Sequence, residues 1–381
     1  MKQRFIVANI ILELFITHML ICILLSSALA EPNIRIYGGS GQDGMMAITV
    51  SNDGRIAMTG ITTSNDGTLS SRTYTEQSGW VLCVDASGNV LWSFCTQQGP
   101  YDYLRAPVFH EDGSLTIVQD SKSNDKDQCE LIRIDVNGKV ITRQVMQVAP
   151  DEETSLSVEP VTDEGYILSL WPPRSSENRA LFDWNGRLLR MLEDEKLESI
   201  LWRAKHHILG YIGDELWLTK IGENEMMMPL AQVLKDMADE AGEWFPHDFI
   251  SLPDGGAAAV IHQYDHSGHL DKGAVYRWDA LGDAVFELAL SDEIPESLAY
   301  TDNRFAVACF SAESQEIPYE WKVVFFDEKG MRTGDISLGK GNNYARVITL
   351  PERGIAVMLL PIDEYQHLDT KLVIIPAEDI P

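Results

Sequence analysis

The chain has 381 residues, 30 Lys+Arg and 58 Asp+Glu, and a formal net charge of −28. Such a charge repels nucleic acid, whose binding needs a basic footprint, and it opposes anionic lipid surfaces. Its plain consequence is solubility outside the cell, and a cation-binding surface is the sharper alternative.

Residues 1–30 read as an export signal. Lys2 and Arg4 form a short basic region, and apolar residues follow, densest from Met19 to Leu25. Ala28-Leu29-Ala30 then offers the small-x-small pattern of a cleavage site before Glu31. The alternative is an uncleaved membrane anchor, since 5–30 is long enough to span a bilayer, but Glu13 and His18 make that span poor. A lipid anchor at Cys22 is disfavoured because Ile21, just before it, is not small. Cleavage removes Lys2, Arg4 and Glu13 and leaves a mature chain, 31–381, at −29.

Four cysteines remain: Cys83, Cys95, Cys129 and Cys309. They allow three pairings. Cys83 and Cys309 lie in apolar runs that suit buried thiols. Cys83 and Cys95 share one hairpin, but its turn sets Cys83 opposite Trp92, so no disulfide is expected there. A chain this long does not depend on disulfides for its core.

Along the chain one turn recurs. D-x-x-G starts at Asp85, Asp135, Asp183, Asp279 and Asp327, spaced by 50, 48, 96 and 48 residues. An apolar run precedes each copy and a more alternating run follows, as in Trp80–Val84 and Val90–Phe94. Glycine supplies the positive φ of such a turn, and aspartate can accept from its backbone. A second turn family comes earlier in each unit, at Asn52-Asp53-Gly54, Asp112-Gly113, Glu164-Gly165, Asp254-Gly255, Asp302-Asn303 and Glu352-Arg353-Gly354. Strand, turn, strand, loop, strand, D-x-x-G, strand in about 48 residues is one blade of a β-propeller.

Seven such units are expected, at 44–95, 104–147, 154–192, 197–230, 246–290, 295–338 and 343–376. The fourth lacks the D-x-x-G due near residue 231. From Pro229 its sequence runs through good helix formers to Gly242, which predicts a short helical insertion over about 229–242. The seventh lacks a fourth strand after Lys371–Ile375. Ile34–Tyr37, followed by glycines, is expected to supply it and close the ring, removing exposed sheet edges. The fold class is therefore all-β: a seven-bladed propeller of four-stranded antiparallel blades, closed by its N-terminal strand.

The first unit carries the most specific pattern: Tyr37-Gly38-Gly39-Ser40-Gly41-Gln42-Asp43, Asn52-Asp53-Gly54, Gly60-x-x-x-Ser64-Asn65-Asp66-Gly67, and Trp80-x-x-x-Val84-Asp85-x-x-Gly88-x-x-x-Trp92. It resembles the repeat of bacterial secreted and cell-surface β-propeller proteins, of quinoprotein-like or WD-repeat-like architecture. That resemblance implies an extracellular repeat module that often binds, and it supplies no reaction. Asp85 to Trp92 also resembles the tryptophan-docking motif of quinoproteins, but Thr142, Arg190, Phe286 and Gly334 replace the tryptophan elsewhere, so no quinone is expected. Ser64-Asn65-Asp66-Gly67 falls short of a sialidase Asp box, and G-x-S-x-G, H-E-x-x-H and P-loop motifs are absent.

No catalytic or cofactor residue is assigned. His206-His207, and His262, His266 and His269 in the polar loop that ends at Asp271, could ligate zinc, but the spacing is irregular and a solvated loop is favoured. Thr62–Thr68 offers calcium too few oxygens unless Asp43 or other blades contribute; a hydrogen-bonded loop is favoured there, with calcium the alternative. Carboxylate runs such as Glu193-Asp194-Glu195 read as solvated faces. The expectation is an extracytoplasmic, monomeric, non-catalytic module that binds a protein or glycan. The alternative is a polysaccharide hydrolase or lyase with an acidic site in the central channel. An enzyme needs several polar groups converging in one place; a binding module can show a broad surface.

Overall fold

The computed structural model describes residues 33–381 apart from 73–75, 97–101, 124–125, 147–154, 162–164, 172–178, 192–198, 204–206, 213–214, 221–226, 230–242, 265–269, 291, 312–318, 342–343, 353 and 361–368. Within these residues the repeating units become seven four-stranded antiparallel sheets. Six follow chain order. The first holds β2 (Asp43–Val50), β3 (Ile56–Thr62), β4 (Ser78–Val84) and β5 (Val90–Cys95). The second holds β6 (Tyr103–Phe109), β7 (Leu115–Ser123), β8 (Lys126–Ile134) and β9 (Val140–Met146). The third holds β10 (Ser155–Val161), β11 (Gly165–Trp171), β12 (Arg179–Phe182) and β13 (Leu188–Met191). The fourth holds β14 (Ser199–Arg203), β15 (His207–Ile212), β16 (Glu215–Lys220) and β17 (Met227–Pro229). The fifth holds β18 (Glu243–Ser251), β19 (Ala257–Tyr264), β20 (Leu270–Trp278) and β21 (Ala284–Ala289). The sixth holds β22 (Glu293–Thr301), β23 (Arg304–Ser311), β24 (Tyr319–Asp327) and β25 (Arg332–Gly341).

The seventh sheet joins both ends of the chain. β26 (Ala345–Thr349), β27 (Ile355–Leu359) and β28 (Thr370–Ile375) are followed in space by β1 (Asn33–Tyr37). β1 runs antiparallel to β28 with Ile34 opposite Val373 and Tyr37 opposite Thr370. The sequence pattern at 34–37 thus finds the partner expected for it.

The D-x-x-G turns have one geometry. In each, a carboxylate oxygen of the aspartate accepts the amides two and four residues on, as Asp85 does from Ser87 at 2.8 Å and Asn89 at 2.9 Å. Asp135, Asp183, Asp279 and Asp327 repeat both bonds. The glycines sit at φ of 78–85°, where a side chain is costly. They also dock sheets together. A Cβ at Gly138 would lie 2.8 Å from Cγ of Trp92 on β5, and one at Gly330 would lie 3.1 Å from Cγ of Phe286 on β21. Gly88 meets Arg35 of β1 in the same way, at 2.7 Å. The turns at Gly138, Gly186 and Gly330 therefore rest on the outer strand of the sheet before theirs, and β1 serves as that strand for the turn at Gly88.

Burial follows the same logic. Every residue of β4 and nearly every residue of β19 is buried, while β21 is largely exposed along its length. The core lies between sheets rather than at one centre. Tyr37, Met58 and Trp80 pack with Met358 and Leu372 across the seventh and first sheets. Trp321 and Phe325 pack with Val357 and Val373 across the sixth and seventh.

The fourth sheet takes its fourth strand from the three-residue β17, Met227–Pro229, with no D-x-x-G before it. The rest of the segment read as a helical insertion, 230–242, lies outside the described residues, as does 1–30, read as an export signal. Among the described residues no helix is long and apolar enough to cross a membrane.

All four cysteines of the described chain are free, and Cys83 faces Trp92 as the turn requires. Burial pushes the Cys83 thiol up to about 12 and Cys95 to about 11, and raises Cys129 and Cys309 further. Since the thiolate is the reactive form, a thiol reagent at pH 8 is expected to leave Cys83, Cys129 and Cys309 unlabelled in the native protein and to label them in guanidinium. Fast native labelling of Cys83 or Cys309 would refute this packing.

Candidate functional site

The motif of the first unit proves to be an interlocked loop. Gly39 N–H donates to Asp43 Oδ2 at 2.7 Å, Ser40 N–H to Asp66 Oδ1 at 2.7 Å, Gly41 N–H to Ser64 Oγ at 2.7 Å and Gln42 N–H to Thr63 Oγ1 at 2.7 Å. Thr62 and Ser64 hydroxyls donate to the two oxygens of Asp43 at 2.5 and 2.6 Å. Asp43, Ser64 and Thr62 are buried. Side-chain oxygens of Asp43, Thr63, Ser64 and Asp66 thus satisfy four successive backbone amides, which is the hydrogen-bonded loop expected of 62–68.

A different group of residues converges on the first strands of the fifth, sixth and seventh sheets. β18 touches β22, and β22 touches β26. Asp248 Oδ2 accepts from Ser297 Oγ at 2.6 Å and from Leu298 N–H at 2.9 Å, and Ser297 Oγ accepts from Val347 N–H at 3.1 Å. This relay fixes three strands at one level. His247, Glu296 and Arg346 then stand at equivalent places, each one residue before a member of the relay.

Bulges aim two of these side chains. The register of β18 against β19 shifts between Pro246 and Asp248, so His247 is an extra residue. The register of β22 against β23 shifts between Pro295 and Ser297, so Glu296 is extra. A bulge turns its extra residue out of the ladder and bends the strand, and proline, with no N–H to pair, suits the residue before it. In a regular strand successive carbonyls point opposite ways. At the β22 bulge both Pro295 O and Glu296 O instead receive imidazoles: His262 Nε2 donates to Pro295 O at 2.5 Å and His247 Nδ1 to Glu296 O at 3.1 Å. The two rings stack with centroids 4.3 Å apart and planes 16° apart.

Around them, Glu296 Oε2 lies 3.5 Å from His247 Nδ1 and Oε1 lies 3.9 Å from Arg346 Nη1. Arg346 also lies over the Tyr344 ring at 4.8 Å. His247 and Arg346 are half-buried with side-chain exposures of 30% and 22%, while Glu296 is at 4%. Phe245, in edge contact with Tyr264 at 5.7 Å, is exposed at 42%. Burial pushes the Glu296 carboxyl up to about 8, a shift that Arg346 opposes. Burial holds His262 down to about 4, and lowers His247 as well. The site thus offers a neutral imidazole pair, one carboxyl poised near neutrality, a guanidinium and exposed aromatic faces. Asp248 is spent on the relay, accepting also from Phe249 N–H at 2.8 Å.

The expectation for the histidines needs correction. His262 is not part of a polar loop: it lies on β19, 1% exposed, because that strand continues through Tyr264. Its neighbours are His247 and Glu296. His206, His266 and His269, with the run Glu193-Asp194-Glu195, lie outside the described residues. A signal for the real cluster does exist in the sequence. Pro246-His247-Asp248 and Pro295-Glu296-Ser297 recur 49 residues apart, and Ala345-Arg346-Val347 follows 50 residues later.

No protein-family model and no curated protein matches the chain. Solved structures do. The β-propeller domain of the Trilobed protease from Pyrococcus furiosus has a TM-score of 0.50 at 10% identity, over 88% of this chain and 94% of that one. The C-terminal WD40 domain of Sif2 has a TM-score of 0.45 at 11% identity, over 90% and 98%. A protein of unknown function from Bacteroides caccae has a TM-score of 0.38 at 10% identity, over 81% and 94%. At these identities the likeness extends to the fold alone: an all-β chain of four-stranded antiparallel sheets, built as a β-propeller.

Proposed function

We propose that the chain is a closed seven-bladed propeller that works as a binding module, taking a protein segment or a glycan where the first strands of blades five to seven meet. Closure is supported by the pairing of β1 with β28, by contact between β26 and β2, and by the seat of Gly88 on Arg35. The observation that carries the function is the placing of His247, Glu296 and Arg346 at equivalent positions on three neighbouring inner strands. Propellers bind through such inner faces and the loops around them. Arg346 and His247 are open enough to meet hydroxyls or carboxylates, and Phe245 with Tyr264 offers an aromatic face for a sugar ring or side chain. The module acts as a monomer outside the cytoplasm, a reading that rests on residues 1–30 and the net charge.

A glycan and peptide array probed with the full mature chain tests this. Wild type is expected to capture a ligand, and Phe245→Ala and Arg346→Ala to weaken capture at least tenfold without lowering the melting temperature by more than a few degrees. Capture unaffected by either change would place the binding face elsewhere.

A lyase acting on polysaccharide is the second reading, favoured by Glu296. A carboxyl held protonated to about 8 beside a neutral imidazole is the pairing that proton transfer uses. Two-carboxylate hydrolysis is less well served, because the relay occupies Asp248. Release of unsaturated sugar from an array hit would favour the lyase.

A further inference from the structure

We infer that His247, His262 and Glu296 form a site for one divalent transition-metal ion of the zinc class. The inference rests on the binding face proposed above and names what would sit at its base. One nitrogen from each imidazole and one Glu296 oxygen all lie within 4.8 Å of one another.

The surroundings of the rings carry the argument further. Each imidazole donates one N–H to a backbone carbonyl, His262 to Pro295 O and His247 to Glu296 O. That leaves each with a lone pair on its other nitrogen. Histidines that ligate metals have this arrangement, the second nitrogen being held by a carbonyl or carboxylate that fixes tautomer and orientation. His262 Nδ1 is buried and has no hydrogen-bond partner among the described residues. Burying an acceptor without a partner is unfavourable, and a metal bond would satisfy it.

Two nitrogens and one carboxylate oxygen are the donor set of zinc-class ions; calcium and magnesium prefer oxygen alone. Three protein donors leave a coordination position open, and half-exposed His247 sets that position toward the face where Phe245 and Arg346 are accessible. An oxygen donor of the bound ligand would fill it. Arg346 lies nearer Oε1 of Glu296, leaving Oε2 for the ion. For both lone pairs to reach one ion, one of the stacked rings must pivot about its carbonyl hydrogen bond, so binding separates the two imidazole planes.

The test uses the full mature chain, stripped with a chelator and titrated with Co²⁺ and Zn²⁺. Expected are one ion per chain, a visible Co²⁺ absorption band displaced by Zn²⁺, and an affinity that falls at least tenfold in His247→Ala and Glu296→Gln. The double variant His266→Ala/His269→Ala should bind as wild type. Should His262→Ala fail to fold, the other two variants still decide, since His247 is half-exposed and glutamine is nearly isosteric with glutamate. No stoichiometric ion, or an ion lost in the His266/His269 variant and kept in Glu296→Gln, overturns the inference. Array capture that persists in chelator while no ion binds would overturn the metal site and leave the binding module standing.

Discussion

Deleting residues 31–39 is expected to lower the melting temperature by about 10 °C or more. The deletion removes β1, and with it the whole pairing to β28. It also removes Tyr37, which is buried and whose hydroxyl donates to Gly88 O at 2.6 Å, and Asn33, whose amide donates to Ser87 O at 3.0 Å. Burying a large side chain contributes about 2–3 kcal/mol, and each hydrogen bond about 1 kcal/mol. Opening the edge of β28 adds to the loss. At roughly 2–4 °C per kcal/mol for a domain of this order, the sum reaches the stated fall. Tyr37→Phe removes the hydroxyl alone and should cost about 1–2 kcal/mol. A deletion variant that melts like wild type would show that β1 does not complete the seventh sheet.

Gly138→Ala is the second large effect. Its φ of 85° costs an L-residue about 1–2 kcal/mol, and the new methyl would stand 2.8 Å from Cγ of Trp92, with Cβ of the same residue at 2.9 Å. The turn cannot move away without breaking the bonds from Asn137 and Lys139 to Asp135. A total near 3 kcal/mol is expected, read as a shift in the denaturant midpoint. Trp92→Ala alone should cost about 3–5 kcal/mol through the cavity it leaves. The double variant should cost less than the sum, because that cavity receives the methyl. Strict additivity would mean that the turn and the tryptophan do not bear on one another.

These two effects explain why so much of the architecture could be read from the chain. D-x-x-G is a local device: one aspartate, two amides and a left-handed glycine within a few residues, repeated at the spacing of a sheet. Asp302-Asn303 shows the same legibility, since φ of 48° and 60° suits Asn and Asp in a two-residue turn. The incomplete seventh unit pointed to Ile34–Tyr37 because an unpaired edge strand needs a partner. The helix read over about 229–242 came from propensity alone; Pro229 pairs with Trp217 of β16, and residues 230–242 lie outside the described residues.

The candidate site was far less legible. His247, His262, Glu296 and Arg346 come from four strands spread over a hundred residues, and their meeting depends on bulges that leave hydrophobic periodicity almost unchanged. His262 was visible only among nearby histidines in sequence, where local grouping misled. Its real partners lie across an interface between sheets. The recurring Pro-x-polar step at residues 246 and 295 was the available clue, and it acquires meaning only once first strands are known to lie side by side.

The most direct measurement of the central claim is ligand affinity, by calorimetry, for two kinds of folded variant compared below their melting temperatures. Arg346→Ala, on the inner face, is expected to lose at least tenfold in affinity while melting near wild type. Gly330→Ala, at a D-x-x-G turn seated on Phe286, is expected to melt lower and bind as wild type. The reverse pattern, with affinity lost at the turn and kept without Arg346, would contradict the account.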